Sequence, residues 1–159
     1  MTAVAGIALA AGCAAVVEDL WRRQVSNWTS GGALAGGLVC HLVQGGWKGG
    51  GMALAGAVTG FAIFLVFYLM NGIGGGDLKL MAGFGSLLGP GSILVAGWIT
   101  AVAGALIAGL FLGLRWAARR RRAEIAAPDL ASAEEPAGAA IPYAPAIVIG
   151  AWLVLLGRT

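Results

Sequence analysis

Five stretches without a single Asp, Glu, Lys or Arg dominate this chain: residues 1–17, 28–47, 49–76, 80–114 and 136–157, with His41 the only titratable interruption apart from thiols and phenols. A helix rises 1.5 Å per residue, so roughly 20 mostly apolar residues cross a bilayer core of about 30 Å. The chain is 59% hydrophobic and 11% charged, whereas soluble domains carry about 25% charged residues. These runs predict an all-α, polytopic membrane helix bundle of about six transmembrane helices, forming a single membrane domain over 1–159. A barrel is excluded because the runs lack alternating polar positions. The 28 glycines follow no three-residue period, and Gly32/Gly36, Gly56/Gly60 and Gly109/Gly113 stand four apart, a spacing that lets helix backbones approach closely in lipid.

The spans are predicted at about 2–17, 28–43, 49–70, 78–94, 95–115 and 142–157. Residues 44–48 form a turn between the second and third. The run 80–114 is too long for one helix, and Gly89-Pro90-Gly91 is a strong breaker within it. Residues 116–141, Arg-rich and then rich in Ala, Glu and Pro, are expected to be a flexible cytoplasmic loop. The first stretch lacks a basic start and reads as a slightly short first span rather than a signal peptide. With six spans, Arg22, Arg23, Lys79, Arg115 and Arg119 to Arg122 share one side, against Lys48 and Arg158 on the other. That asymmetry puts the first group in the cytoplasm and both termini outside. The formal charge of +3 therefore reports topology, and no nucleic-acid partner is implied. Trp28, Trp47, Trp116 and Trp152 lie near predicted span ends and read as interfacial belt residues.

Acids beside membrane spans are costly and read as functional. Asp77 follows Gly74-Gly75-Gly76 between two apolar runs, and Asp19 ends another. Two predicted spans separate them, so both emerge on the cytoplasmic face and can meet. Two carboxylates in one site cannot both ionise easily, so the pair holds one proton and titrates as a unit. Such a dyad hydrolyses peptides without a metal or a cofactor: the charged member activates water and the protonated one polarises the carbonyl. The glycines allow a sharp turn or close approach of an extended substrate, and Asp77 then begins the next helix. The blander alternatives make Asp77 an N-cap and Asp19 an interfacial cap. Cys13 and Cys40, on separate helices, make neither a disulfide nor a zinc site and are expected to be buried small residues. His41 belongs to the opposite surface from the acids.

Gly74-x-Gly76-Asp77-x-Lys79 resembles the GxGDxK signature of type IV prepilin peptidases. Asp19-x-x-x-Arg23-x-Val25-Ser26-Asn27 resembles their first-aspartate motif, D-x-x-x-R-x-I-P-N, with Ser26 in place of proline. Residues 141–147, Ile-Pro-Tyr-Ala-Pro-Ala-Ile, resemble the family's entry into its last helix. The resemblance implies a membrane aspartic endopeptidase with Asp19 and Asp77 as its catalytic pair, acting at the cytoplasmic face of the inner membrane. It implies cleavage after the glycine of a prepilin's short basic leader, just before an apolar helix in the bilayer. The chain has no CxxC pair and no hydrophilic insertion between its first two spans, so it looks like the small Flp/Tad-type class without N-methyltransferase activity.

Arg23 and Lys79 either stabilise an ionised acid and steer a substrate carboxylate, or simply snorkel to the interface. Asn27 is expected to cap the second helix, and Tyr143 with its flanking prolines to fix the entry of the last one. Two alternatives stand beside this reading. One is a related membrane aspartyl protease acting on a pseudopilin or archaellin-like precursor. The other is a small transporter using the two acids for ions, although that favours midplane acids and internal repeats.

Overall fold

The computed structural model describes residues 3–70, 73–125 and 143–157. Those residues form five helices in order: α1 Ala3–Arg22, α2 Asn27–Leu69, α3 Gly75–Leu88, α4 Pro90–Ile125 and α5 Ala144–Leu156. Three of them, α1, α2 and α4 over Pro90–Ala118, are long and apolar enough to cross a membrane.

α2 is continuous along the sequence but not in its path. At Gly46 the backbone takes φ 57°, ψ −145°, a conformation open to glycine and strained for other residues. Beyond it the chain doubles back, so that a side chain at Gly49 would strike the His41 carbonyl and one at Gly50 the Leu42 side chain. The expected turn at 44–48 is therefore a break of one residue between two arms. A second reversal occurs at Gly89, with φ 76°, and Pro90 then opens α4. The break thus falls at Gly89, not at 94–95 as the predicted spans 78–94 and 95–115 placed it. The reason lies in local chemistry: glycine accepts the left-handed turn and proline fits the first helical position.

α4 also corrects the expected loop. Residues 116–125 are helical and extend α4, and the rest of the anticipated loop 116–141 lies outside the described residues. Arginine is a good helix former, so a basic run after an apolar one can prolong a helix rather than end it.

α3 lies at the centre. From Leu78 to Leu88 every residue except Lys79 is buried, and at 14 residues the helix is only about 21 Å long. Gly83 packs against Ser30 and Ala33 on the first arm of α2, and Ser86 Oγ donates to the Ala33 and Leu34 carbonyls at 3.3 and 3.2 Å. On the second arm, Gly56 and Gly85 touch backbone to backbone, so a Cβ on either would collide with the other's carbonyl oxygen. Gly60 meets Met81 in the same way. Of the three glycine pairs, Gly56/Gly60 is thus a packing face. Gly109 and Gly113 face open space, and Gly36 faces Ile7 while Gly32 faces nothing.

α5 packs antiparallel to α1. Trp152 sits over Gly12 and its indole N–H donates to the Ala8 carbonyl at 3.2 Å. Trp152 is therefore a packing residue and not a belt residue, whereas Trp28 and Trp47 are about nine-tenths exposed. Cys13 points outward on α1, contrary to the expectation of a buried small residue.

The glycine contact predicts opposite signs for one kind of substitution. Gly56→Ala must push α2 from α3 and should lower stability by about 1–3 kcal/mol. Gly109→Ala, in open space, should be neutral or stabilising by up to ~1 kcal/mol. Thermal unfolding in detergent checks both, and a stable Gly56→Ala protein would deny the contact.

Candidate active site

Ala8, Gly12, Ala15 and Asp19 are the buried residues of α1, and their spacing of four, three and four puts them on one helix face. The predicted end of the first span at 17 is too early: α1 continues to Arg22, so Asp19 is inside its last turn rather than beyond it. Asp19 is 6% exposed. Its Oδ2 accepts a hydrogen bond of 3.0 Å from the backbone N–H of Ala144 at the start of α5. A buried carboxylate requires such a donor, and the positive end of a helix is a favourable one.

The chain leaves α1 through Arg23, whose φ of 51° is left-handed, a conformation costing roughly 1–2 kcal/mol for a non-glycine residue. Glu18 closes the connection from below. Its carboxylate accepts from Ser26 N at 2.7 Å and from Thr29 Oγ1 at 2.9 and 3.0 Å. Ser26, at φ −65°, is the N-cap of α2 and accepts from Trp28 N at 3.2 Å. Asn27 was expected in that capping role. Instead its Oδ1 accepts from Lys79 Nζ at 2.9 Å, which ties the start of α2 to the start of α3. Serine already satisfies the cap, and this frees the asparagine side chain.

Asp77 lies in the first turn of α3, behind Gly74 as N-cap, so it is not itself the cap. The three glycines do not supply a positive-φ turn, because Gly46 and Gly89 are the glycines with positive φ among the described residues. Gly76 instead permits an approach: a Cβ there would stand 3.3 Å from Val25 Cβ and N. That contact presses the Asp77 turn against the Arg23–Ser26 connection. Gly74 faces only the Asp77 carboxylate, and Gly75 faces the Tyr68 ring.

Burial and then the negative charge of Asp19 push the Asp77 carboxyl up to about 6, against a smaller opposing effect of the Gly74 N–H. Tyr143 caps α5 through its carbonyl, which accepts from Ala146 N at 3.1 Å. Its ring lies against Gly104 of α4. Burial and the charge of Asp77 raise its phenol above the ordinary value.

These pieces enclose one cavity of about 600 Å³. Asp19, Asp77, Arg23, Asn27, Lys79 and the Gly74–Gly76 backbone all line it, so seven of the eight residues singled out from sequence converge, and Tyr143 stands beside Asp77. Two coupled carboxylates next to an open glycine backbone can hold one proton and a water against an extended peptide. His41 is far away, its Nδ1 paired with the Gly37 carbonyl at 3.0 Å. Among the described residues no group of three His, Cys, Asp or Glu side chains converges as a metal site does. Sequence reasoning missed Glu18, Thr29 and the Ala144 N–H. The acid at 18 and the hydroxyls at 26 and 29 were visible as a pattern, but a backbone donor 125 residues away was not.

No curated protein and no solved structure matches the chain. The sequence profile described as the type IV leader peptidase family matches residues 6–114, well over half of the chain. That stretch holds α1, α2, α3 and most of α4, including both acids and the glycine turn before Asp77, and the chain belongs to the type IV leader peptidase family.

Proposed function

We propose that this protein is an aspartic endopeptidase of the inner membrane that cleaves the short leader of a Flp/Tad-type prepilin at the cytoplasmic face, with Asp19 and Asp77 as its catalytic pair. The observation that carries the reading is the shared cavity at one end of the bundle, in which burial and then the charge of Asp19 raise Asp77. Family membership supplies the leader-peptidase activity, and the cavity supplies the chemistry.

Asp77 holds the proton below about pH 6, and Asp19, with the Ala144 N–H on its Oδ2, is the ionised partner. Asp19 takes a proton from water as that water attacks the scissile carbonyl, while Asp77 gives its proton to the carbonyl oxygen. The tetrahedral species collapses when Asp19 hands its proton to the leaving nitrogen and Asp77 recovers its own from a hydroxyl. The pair ends as it began. The Gly74–Gly76 backbone is the strip along which the extended leader lies, and Arg23, Lys79, Asn27 and Tyr143 shape and orient the surroundings.

Counting both arms of α2, six helical segments enter the bilayer. The Lys and Arg distribution supports a cytoplasmic cavity end with both termini outside. The connection between α1 and α2 carries no insertion and no paired cysteines, so that connection has no room for a soluble methyl-donor site. Purified protein in liposomes, given a precursor and a methyl donor, should yield a cleaved, unmethylated chain by mass spectrometry. A methylated product, or an intact precursor in several lipids, would contradict the assignment.

Asp19→Asn and Asp77→Asn should each reduce cleavage at least ~10³-fold while the protein remains inserted. Activity should fall on the alkaline side as pH rises through about 6, because the proton on Asp77 is lost there. The same shift has a sign for stability. A carboxyl raised from 3.8 to about 6 on folding supports the fold fully below the lower value and loses that support as pH rises through the upper one. Asp77→Asn should therefore melt higher than the parent protein above pH 6 and alongside it near pH 3.5. Equal melting at both pH values would show that the site does not restrain this proton.

A further inference from the structure

Glu18 lines the cavity beside both acids, yet both of its oxygens are already bonded within the fold. Its Oε2 takes the Ser26 N–H at 2.7 Å and both its oxygens take the Thr29 hydroxyl. All these bonds reach the first turn of α2. From that same turn Asn27 Oδ1 receives Lys79 Nζ at 2.9 Å, and Lys79 stands two residues beyond Asp77 on α3. Glu18 is itself the neighbour of Asp19 on α1. The first turn of α2 is therefore a bridge with one foot beside each acid, and the approach of Gly76 to Val25 closes it underneath.

We propose that Glu18 is a positioning residue that sets the spacing of Asp19 and Asp77 through the first turn of α2, with the Lys79–Asn27 hydrogen bond as the second foot of the bridge. The proposal deepens the peptidase reading and rests on it for its kinetic arm alone. Both feet are needed because the two acids belong to different helices. The buried Asp19 is held from α5 by Ala144, and Asp77 is held from α3 itself. Between them, among the described residues, the α1–α2 connection lines the cavity, and it contains a residue in a left-handed conformation, Arg23. Such a connection needs an acceptor for its free donors. Both feet are charge-assisted, but the Glu18 foot is the stronger one, since its bonds are partly buried whereas the Lys79–Asn27 contact is exposed.

The test has two arms. In the kinetic arm, Glu18→Ala and the isosteric Glu18→Gln are compared with the parent protein for precursor cleavage in liposomes. Loss of the bonds should lower kcat on the order of ten- to hundredfold in the alanine variant and less in the glutamine variant, with KM nearly unchanged. Ser26→Pro added to Glu18→Ala should restore several-fold, because Ser26 already holds φ −65°, the angle proline imposes, and proline has no N–H to leave unpaired. In the second arm no substrate is present, and the Asp77 carboxyl is titrated by NMR in labelled protein. The groups facing it are Glu18 and Asp19 from α1, Arg22 and Arg23 at the end of α1, Lys79 on α3 and Tyr143 before α5. Both variants remove the charge of Glu18 itself, so the bridge is read from the difference between them: loosening it lets Asp19 move off, and the Asp77 titration should lie at lower pH in Glu18→Ala than in Glu18→Gln and return toward the glutamine variant with Ser26→Pro. A purely structural role would reduce the folded fraction and leave Glu18→Ala and Glu18→Gln with the same titration in what remains folded, and that result would overturn the proposal. Parent-like kcat and titration in both Glu18 variants would overturn it too. If the parent protein cleaves nothing but the titration moves as stated, the positioning role stands and the peptidase reading falls.

Discussion

The hydrogen bond from the Ala144 N–H to the Asp19 carboxylate joins the two ends of the fold and decides where everything near the cavity must stand. A carboxylate that is 6% exposed and without a donor would cost several kcal/mol or refuse to ionise. Here the first turn of α5 supplies that donor at 3.0 Å. The bond requires α5 to run antiparallel along α1, and Trp152 over Gly12 holds the far end of the same pair. Tyr143, one residue before the donor, is thereby set beside Asp77.

The second acid is placed by packing rather than by a long-range bond. In lipid there is little hydrophobic drive between helices, so small residues that let backbones touch do the joining. α3 is held between the two arms of α2 by Gly83 on one side and by Gly56 with Gly85 on the other. Because the helix is buried nearly all round, its first turn has little freedom, and Asp77 is delivered to the cavity as part of a rigid element. The raised proton affinity of Asp77 follows from that placement: burial first, then Asp19. Stability is lost at this position as pH rises through about 6, and below that the carboxyl keeps its proton.

Much of this was legible in the residues. Charge-free runs announced membrane helices, the Gly-Gly-Gly-Asp segment marked the cavity, and counting spans put both acids at one end. The face Ala8, Gly12, Ala15, Asp19 was also present in the sequence as a pattern of small residues ending in an acid. What could not be read was set by tertiary contacts. The end of α1 lies beyond the charged Glu18 and Asp19 because α5 supplies Asp19 with a partner and α2 does the same for Glu18. Asn27 carries a cap-forming side chain, but Ser26 takes the cap and Asn27 reaches Lys79. The basic run after residue 114 was read as a linker, although arginine extends α4 as readily as it ends a span.

The central claim is that Asp19 and Asp77 act as one unit and not as two separate aids to cleavage. Its most direct test is the residual rate of precursor cleavage in the double variant Asp19→Asn/Asp77→Asn, measured beside each single variant in the same liposomes. Groups that work together are grossly non-additive. The account predicts a double variant no slower than the slower single one. Losses that multiply would mean that the two acids contribute independently, and the shared cavity would then not be the catalytic centre.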